Sequence, residues 1–538
     1  MYYASVDLTN RTLGAHVKRS MTDVVVVGAG PVGMTAAALL AARDVQVVVL
    51  EAHATTSTDP KAISIDDESL RTYADAGIIT EVLRIVSPGT GTRYFGRHGQ
   101  PLFHARGPEP YRLGYPFKNP FAQPDLERVL AGVLDADPLV EVRFGARVTG
   151  LDVRDGGVAV RVTTVGGAHT VTARYVIGAD GGRSTVRESL GITMNGRSYD
   201  EPWLVADTLD DPHRQMYGMH VGVPERPTVI IPGKDGRCRY EFLLFPGEGA
   251  PGERPDHELI AKLLGPYREI AAAQVERAVI YTFNGVVADQ WRAGGVFLAG
   301  DAAHMMPPFA GQGLNSGLRD VANLCWKLTE SLHGRLAEAA LDSYEAERKP
   351  HARATVRLSE RLGRVVMSTS SRMAKSRDRI IGSAMATPRG RAFFEQMRYR
   401  PPVVFSSGLV RVTPDTADIV GRPIPQPRGF DMAAGEVRYL DRVTGYGWAV
   451  LGVGVTGADW HRAGDLAAAL NAATVHVCAD DTLPDHVPAG VPVMVDVDGA
   501  VNAGFGPCRG HFLLVRPDHV IAAAWRPGEE SAIADWYR

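Results

Sequence analysis

The pattern of hydrophobic and polar positions near the start of the chain predicts a strand, a helix and a second strand. Asp23–Val27 and Gln46–Leu50 are short apolar runs rich in β-branched residues, as buried strands are. Between them, the glycine-rich turn Gly28–Gly33 precedes Met34–Ala42, which is rich in helix-forming residues. This order predicts one parallel βαβ unit.

Further apolar patterns extend this α/β unit along the chain. Helical periodicity appears around Asp67–Tyr73, in Pro124–Leu134 and in the long segment Leu314–Leu332. Val171–Ile177 and Val296–Ala299 are apolar runs that predict two more strands, and each enters a glycine-containing turn.

Between these two runs the pattern changes to alternation with a period of two. Arg237–Phe245 and Ala278–Val286 are the clearest examples, and proline and glycine turns separate such segments from about Asn195 to Val287. We therefore predict an antiparallel sheet domain inserted between the halves of the first domain. Prolines and short polar segments over Pro401–Pro427 predict a linker.

Beyond the linker, short strands and one helix predict a separate small α/β domain. The strands are Trp448–Val453, Val475–Cys478, Phe512–Val515 and Val520–Ala524, and the helix lies around Ala463–Leu470. The predicted division of the chain is an N-terminal extension, the α/β domain that begins with the βαβ unit, in two parts, the inserted sheet domain, and the C-terminal domain: 1–21, 22–195 with 288–410, 196–287, and 411–538.

Composition excludes several classes of partner. The 538 residues include 58 basic and 61 acidic side chains without a basic cluster, so we expect no nucleic-acid partner. The four cysteines lie far apart without a CxxC motif, which favours a reducing cytoplasm over a disulfide framework or a metal site. No apolar stretch is long enough to cross a membrane. The polar residues before Met21 are either an upstream extension or an arm that packs on a neighbouring subunit, and we expect a homo-oligomer.

The glycine-rich turn has the G-x-G-x-x-G spacing of a dinucleotide-binding loop. Gly28 permits the tight turn, Gly30 lets a diphosphate approach the backbone, and Gly33 lets the helix pack closely on the strand. Glu51 lies at the end of the second strand, where it can accept a hydrogen bond from a ribose hydroxyl. These residues predict an adenine dinucleotide but do not distinguish FAD from NAD.

Two later motifs carry a resemblance to a known family. Gly178–Arg187 has the pattern D-G-x-x-S-x-x-R, and Gly300–His304 reads G-D-A-A-H; each follows an apolar strand. In this order, and with Met305–Asn315 after them, they resemble the flavoprotein aromatic hydroxylases typified by p-hydroxybenzoate hydroxylase. The resemblance implies that family's α/β fold, non-covalent FAD, and NADPH or NADH as co-substrate. It also implies that O2 forms a C4a-hydroperoxyflavin, which hydroxylates a small phenolic substrate.

The same resemblance assigns roles to residues of this chain. Asp301 is expected to bind the ribityl chain, Pro307 to shape the backbone beside the flavin, and Gln123 to reach the ribityl or pyrophosphate region. Asp180 belongs to the motif that the family associates with both FAD and the nicotinamide coenzyme; its alternative role is to form the turn. Backbone groups expected to face the flavin N1/O2 edge belong to Gly311, Gly313, Leu314 and Asn315.

Some positions have two possible roles. Lys61 stands where many relatives have arginine against FAD, and lysine lacks the planar fork for a bidentate contact. Arg239 contributes either to the flavin and substrate site, as a catalytic residue, or to a solvated strand. Tyr217 and Tyr240 are candidate substrate residues, although buried core positions fit them as well. We expect His304 to be structural and predict no metal site.

Two finer resemblances concern the substrate and the C-terminal domain. The segments Ala62–Arg71, Gln123–Glu127 and Tyr240–Glu248 are similar to 3-(3-hydroxyphenyl)propionate hydroxylases. Related sequences also tailor larger polyketide-derived phenols and pyridinols, so a substrate of that class fits as well. The motifs are also compatible with a flavin oxidase or dehydrogenase and with a non-catalytic flavoprotein. Through Leu514–Asp518 the C-terminal domain resembles the thioredoxin-like tail of the phenol hydroxylase branch, without its redox motif.

Overall fold

The computed structural model describes residues 21–87, 89, 91–107, 109, 111–478 and 489–537. The predicted N-terminal extension therefore lies outside the described residues, except for Met21. The helices are Pro31–Ala41, Asp67–Asp75, Ile79–Ile85, Gln123–Asp135, Thr185–Ser189, His257–Leu264, Gly313–Leu332, Ser343–Val366, Ser371–Met385, Pro388–Glu395, Leu440–Thr444, Trp460–Ala469, Ala500–Phe505 and Glu530–Tyr537.

The first sheet contains the predicted βαβ unit. Thr22–Val27 pairs in parallel with Val47–Leu50 on one side and with Gly167–Gly178 on the other. The full order across the sheet is Arg292–Ala293, Val296–Leu298, Gly167–Gly178, Thr22–Val27, Val47–Leu50 and Val140–Arg143, and the antiparallel strands Arg147–Arg154 and Gly157–Thr164 extend it from Gly167–Gly178. This arrangement confirms the predicted α/β fold and brings the three sequence motifs to one edge of the sheet.

A second sheet, which has seven strands and is called here the central sheet, forms a wall opposite that edge. Its order is Val275–Tyr281, Trp203–Thr208, Cys238–Leu243, Thr228–Pro232, Gly218–Val221, Thr92–Phe95 and Pro101–Ala105. The last two strands come from residues 92–105, ahead of the range 196–287 predicted for the inserted domain. Gly218–Val221 and Thr92–Phe95 pair in parallel, so the sheet is not purely antiparallel.

One predicted strand is wrong. Ala278–Val286 is not continuous: Val275–Tyr281 belongs to the central sheet, and Asn284–Ala288 belongs to a separate sheet with Met194–Ser198 and His304–Met305. The chain changes sheets at Thr282 and Phe283, and alternation of side chains alone does not reveal such a change because both halves keep the same period.

The C-terminal residues form a third sheet of seven strands. Its order is Glu436–Tyr439, Arg428–Asp431, Val493–Asp496, Ala473–Cys478, Ala449–Val453, His511–Val515 and Ile521–Trp525. The predicted linker is packed into this unit, because Phe405, Val420 and Ile424 are buried in its core. Residues 401–427 are therefore irregular in backbone but not a free connection.

Buried ion pairs fasten the C-terminal unit to the first domain. Arg516 donates to both carboxylate oxygens of Glu347, at 2.9 and 2.8 Å. Arg71 similarly binds Asp441 with nitrogen-to-oxygen distances of 2.7 and 2.5 Å. A guanidinium paired with both oxygens of a buried carboxylate fixes distance and orientation together.

Candidate active site

The glycine-rich turn leaves open space at the N-terminus of helix Pro31–Ala41. Gly28 has φ +102°, and a Cβ there would lie 2.5 Å from the Ala179 carbonyl oxygen; a Cβ on Gly33 would lie 2.0 Å from the Gly28 carbonyl oxygen. These two glycines are required by packing. A Cβ on Gly30 would meet no described heavy atom within 4 Å. The helix terminus is therefore accessible to a diphosphate, whose charge the helix dipole favours.

Glu51 lies beside this turn, as predicted. Its Oε2 accepts a hydrogen bond from the Ala29 backbone N–H at 2.8 Å, and its Oε1 accepts one from the His53 N–H at 2.8 Å. Oε1 also lies 2.6 Å from His53 Nδ1, whereas Oε2 retains a second lone pair. Glu51 can thus position the turn and still accept a hydrogen bond from a ribose.

A cavity of about 420 Å³ extends from this turn to the central sheet. Both sides contribute to its lining: Gly30, Pro31, Val32, Lys61, Ala62, Ile63, Ser64, Lys118, Gln123, Ala179, Gly181, His220, Val229, Ile231, Arg239, Glu241, Tyr281, Phe283, Ala299, Asp301, Met306, Pro308, Phe309, Gly311, Gln312, Gly313 and Leu314. The dinucleotide loop, the G-D-A-A-H motif and the sheet therefore share one space.

The G-D-A-A-H motif and the loop after it form one side of the cavity. The Asp301 side chain is exposed toward the cavity. Gly311 has φ +61°, a left-handed conformation that favours glycine, and neither Gly311 nor Gly313 has a heavy atom within 4 Å of where a Cβ would stand. Gly313 begins a 20-residue helix, so backbone N–H groups face the cavity here.

Several predicted cofactor residues are already hydrogen-bonded within the protein. Gln123 Oε1 accepts from the Ala62 N–H, and its Nε2 donates to Glu127 Oε1, both at 2.7 Å. Asn315 donates to the Gly311 carbonyl oxygen at 2.7 Å and is itself buried. Both residues position cavity-lining backbone, and of the two only Gln123 itself lines the cavity.

Asp180 and Pro307 also hold loops in place. The Asp180 carboxylate accepts from the Ser184 hydroxyl at 2.6 Å and from the Val186 N–H at 3.0 Å, which is the turn-forming geometry considered as its alternative role. Pro307 is buried at the start of the short 3₁₀ helix Pro308–Ala310, and its neighbour Pro308 reaches the cavity. Their roles toward the cofactor remain predictions.

Arg239 reaches the cavity wall, but its charge is neutralised. Its Nε and Nη2 donate to the two oxygens of Asp207 at 2.7 and 3.1 Å, and Nη1 donates to the Lys61 carbonyl oxygen at 2.6 Å. Arg239 therefore joins the sheet to the loop that carries Lys61. The solvated-strand alternative is wrong, because Arg239 is 3% exposed.

The two candidate substrate tyrosines do not reach the cavity. Tyr240 lies on the opposite face of the central sheet, where it is fully buried and donates to Asp211 at 2.8 Å. Successive side chains of a strand face opposite sides, so Tyr240 must point away when its neighbours Arg239 and Glu241 point in. Tyr217 lies just before the strand Gly218–Val221, against Arg93, whose guanidinium carbon is 4.2 Å from the ring centre.

Sequence reasoning missed the polar residues of the cavity wall. Lys118, His220 and Glu241 line the cavity, and Tyr281 lies beside them. Burial raises the pKa of Glu241 to about 7 and lowers the pKa of Lys118 to about 8. Glu241 could have been found from the same strand pattern that singled out Arg239, two residues before it. Lys118 and His220 carry no such signal.

Two other motif residues are structural. His304 is buried and its Nε2 lies 2.7 Å from Asp320 Oδ2, which confirms its expected structural role. Arg187, the last residue of the second motif, donates to the carbonyl oxygens of Ala302 and Gly182 at 3.2 and 2.9 Å. Arg187 therefore ties the second motif to the third.

Among the residues that the structure describes, no helix has the length and apolar composition needed to cross a membrane.

Comparison with protein families agrees with this geometry. A family model described as FAD binding domain matches residues 21–359, and one described as HcaD C-terminal domain matches residues 421–537. The first match spans more than half of the chain. The chain belongs to the FAD-dependent aromatic hydroxylases, which are enzymes that use FAD with NAD(P)H as co-substrate.

Similar proteins cover nearly the whole chain. A 3-(3-hydroxy-phenyl)propionate/3-hydroxycinnamic acid hydroxylase of Mycobacterium sp. (strain KMS) is 36% identical over 518 residues, which are 94% of this chain and 88% of the relative. The protein named 3-(3-hydroxy-phenyl)propionate/3-hydroxycinnamic acid hydroxylase 2 of Burkholderia vietnamiensis (strain G4 / LMG 22486) is 36% identical over 523 residues and covers 94% of both chains.

Solved structures with the same fold include ligand complexes. The flavin-dependent monooxygenase PieE, in complex with FAD and substrate, has a TM-score of 0.78 at 23% identity and covers 96% of this chain and 98% of its own. The ternary complex of aklavinone-11 hydroxylase with FAD and aklavinone has a TM-score of 0.74 at 25% identity, with coverage of 96% and 98%.

Proposed function

We propose that this chain hydroxylates the ring of a small phenol that carries a carboxylate side chain, similar to 3-(3-hydroxyphenyl)propionate. The observation that supports it most is the shared cavity, in which the cofactor motifs face a wall of aromatic and titratable side chains. The substrate class follows the names of the relatives, which are 36% identical over nearly the whole chain.

Bound FAD, reduced by NAD(P)H, would activate O2 and supply the oxygen atom that enters the ring. The protein's own residues bind and orient the two partners. We assign the diphosphate to Gly30 and the N-terminus of helix Pro31–Ala41, the ribose to Glu51, and the ribityl chain to Asp301. The backbone of Gly311 and Gly313 and the Lys61 side chain, which line the cavity, would hold the flavin, and Pro307 would shape the loop beside it.

The central sheet, the chain that leaves it at Phe283 and the short helix Pro308–Ala310 supply the substrate side of the cavity. Phe283 and Phe309 present aromatic rings 5.3 Å apart, centre to centre, in an edge-to-face arrangement that favours a further aromatic ring. The apolar side chains of Val229 and Ile231 continue this wall. These apolar side chains would keep water away from the reacting centre, which would limit loss of the oxygen as H2O2.

The test is oxygen incorporation across a phenol panel. Purified protein with FAD, NAD(P)H and ¹⁸O2 is offered 3-(3-hydroxyphenyl)propionate, 3-hydroxycinnamate, phenol and a polycyclic phenol. We expect labelled catechol products from the first two. Labelled product from the polycyclic phenol alone would favour a polyketide-tailoring role, which the ligands of the structural neighbours motivate. H2O2 without product would indicate an oxidase, and no substrate-stimulated coenzyme oxidation would indicate a non-catalytic flavoprotein.

Two properties of the whole protein belong to the same proposal. We place it in the cytoplasm, because its four cysteines are buried and none forms a disulfide. We also propose a homo-oligomer, which sedimentation of the purified protein would test.

A further inference from the structure

Three titratable side chains form a compact group on the cavity wall, called here the polar patch: Lys118, His220 and Glu241. His220 and Glu241 lie on the central sheet and are each 4% exposed. Lys118 begins the short strand Lys118–Pro120 and donates to the Thr92 hydroxyl at 2.9 Å. All three line the cavity, and the charge of Lys118 acts on the two acid–base groups beside it.

Within the part of the chain that the structure describes, Glu241 differs from the other buried acids because its carboxylate has no fixed partner. Asp207 is bound by Arg239 and Glu347 by Arg516, each through both oxygens. Among the described residues, the Glu241 carboxylate makes no hydrogen bond or ion pair, although the residue is almost fully buried. Burying a carboxylate without a partner is costly, so the fold retains a group here that it does not need for stability.

The charged groups around Glu241 determine what it can do. Arg239 and Asp207 face it as a closed ion pair, Lys118 faces it as a cation, and Tyr281 faces it as a neutral phenol, since burial raises the Tyr281 pKa above its ordinary value. Burial and then Lys118 lower the pKa of His220 to about 3, so His220 is neutral near pH 7. Because its own pKa is about 7, Glu241 can gain or lose a proton close to neutrality.

We propose that Glu241 accepts the proton of the substrate's phenolic hydroxyl within the cavity, and that Lys118 stabilises the phenolate oxygen that results. The proposal rests on the proposed function. The phenolic O–H bond breaks, an O–H bond forms on the Glu241 carboxylate, and the electron pair remains on the phenolic oxygen. The net charge of the site with its substrate does not change, because the proton moves from substrate to protein. The phenolate pushes electron density to the ring carbons ortho and para to it, where an electrophilic oxygen adds.

The test measures proton transfer from a bound phenol to the protein under conditions in which no catalytic turnover occurs. The oxidised FAD-loaded protein is titrated with 3-nitrophenol, whose ionised form absorbs at longer wavelength than its neutral form, and no coenzyme is added. The pH is held above about 7, so that Glu241 starts ionised, and below the pKa of the probe in water. A pH-indicator dye in weak buffer records protons released. We expect the wild-type protein to bind the probe as phenolate without releasing a proton.

Three variants separate the roles. Glu241→Gln keeps the shape of the side chain and removes the acceptor, so we expect the bound phenolate-to-phenol ratio to fall at least tenfold, or any phenolate to appear with one released proton. Lys118→Met should lower the same ratio while leaving Glu241 in place. Glu276→Gln is the matched control, because Glu276 lies on the same sheet, away from the cavity, paired with Arg237; it should behave as wild type.

Two results would overturn the proposal. One is wild-type protein that binds the probe only as neutral phenol or releases a proton for each phenolate formed. The second is a Glu241→Gln protein that forms phenolate without proton release, as wild type does. Neither depends on oxygen transfer, so failure of the phenol panel would reject the proposed function separately. With a phenol that the wild-type enzyme hydroxylates, the Glu241→Gln variant should regain product formation as the pH rises toward the pKa of the free phenol. The Glu241→Asp variant should retain part of the wild-type rate of product formation at neutral pH.

Discussion

At the scale of single residues, the acid of the G-D-A-A-H motif faces the open cavity. Asp301 is exposed toward the cavity at the point where the ribityl chain of FAD is assigned. We expect Asp301→Ala to weaken FAD binding, since a lost hydrogen bond costs about 0.5–1.5 kcal/mol, or roughly two- to twelvefold in the dissociation constant. Fluorescence titration of the apoprotein with FAD measures it. Asp152→Ala, an exposed position on Arg147–Arg154, is the control, and equal affinities for the two variants would contradict the assignment.

A second prediction concerns how Glu241 affects the stability of the protein at different pH values, and it does not depend on the substrate. Burial raises its pKa from 4.5 to about 7, so the folded chain binds this proton more tightly than the unfolded chain does. The stabilising contribution is complete below about pH 4.5 and is lost as the pH rises through about 7. Glu241→Gln should therefore raise the free energy of unfolding at pH 8, by at most about 3 kcal/mol, and change it little at pH 4.5. Thermal unfolding of the FAD-loaded protein at the two pH values measures this difference, and a variant that is destabilised equally at both would contradict it.

Single residues also show what the sequence could predict about the site. The glycine spacing identified the backbone positions that must stay open, because glycine is chosen where a Cβ has no room or where a ligand approaches. It could not reveal that Gln123 and Asn315 are occupied by the protein itself, since their partners Ala62 and Gly311 are positioned by the folded loops. For Asp180, the sequence did offer the turn-forming role that its hydrogen bond from Ser184 shows. The motifs therefore predicted the position of the site more reliably than the role of each side chain in it.

At the scale of elements, the face of the sheet on which a side chain lies decided whether a predicted site residue reaches the cavity. In Cys238–Leu243, Arg239 and Glu241 face the cavity while Tyr240 faces the apolar layer behind it. Strand propensity predicted the strand, but not which face would meet the first domain. Thr92–Phe95 and Pro101–Ala105 were missed as strands of the central sheet, because the sheet joins them to residues more than 100 positions later. A local sequence pattern can predict that a strand exists, but it cannot predict which distant strands that strand pairs with.

The helices Gly313–Leu332 and Ser343–Val366 are fastened to the C-terminal sheet by Arg516. Its partner Glu347 is also bound by Lys327 at 2.8 Å, and all three side chains are fully buried. Both cations hold the pKa of Glu347 well below its usual value, despite burial. Arg516→Ala leaves Glu347 and Asp518 with too little positive charge, so we expect a loss of about 3–5 kcal/mol in the free energy of unfolding. Denaturant unfolding with Arg526→Ala as an exposed control measures it, and a loss no larger than that of the control would contradict this role.

At the scale of the whole molecule, the C-terminal unit has thiols but no redox pair among its described residues. Cys478 and Cys508 are buried, and burial raises the pKa of Cys508 to about 11, which keeps it as an unreactive thiol. Replacing both by serine should therefore leave coenzyme-dependent flavin reduction within about twofold of wild type, with only the loss of packing that a small buried side chain carries. Stopped-flow reduction measures the rate. A large decrease in a variant that still unfolds cooperatively would show a redox role and contradict this expectation.

The C-terminal unit should instead be required for the first domain to stay folded. Deleting residues 422–538 removes Arg516, Asp441 and His519, which leaves Glu347, Arg71 and Asp75 as buried charges without these partners. It also uncovers apolar residues that now pack across the boundary, including Trp326 against Trp448 with ring centres 5.5 Å apart. Exposed apolar area and unpaired charge both favour aggregation or unfolding. We expect the truncated chain to be recovered mainly as aggregate, or to unfold at a markedly lower temperature with less bound FAD. Sedimentation, flavin content and thermal unfolding measure the three properties. A monodisperse truncated chain that binds FAD and unfolds like the full chain would show that the two units are independent.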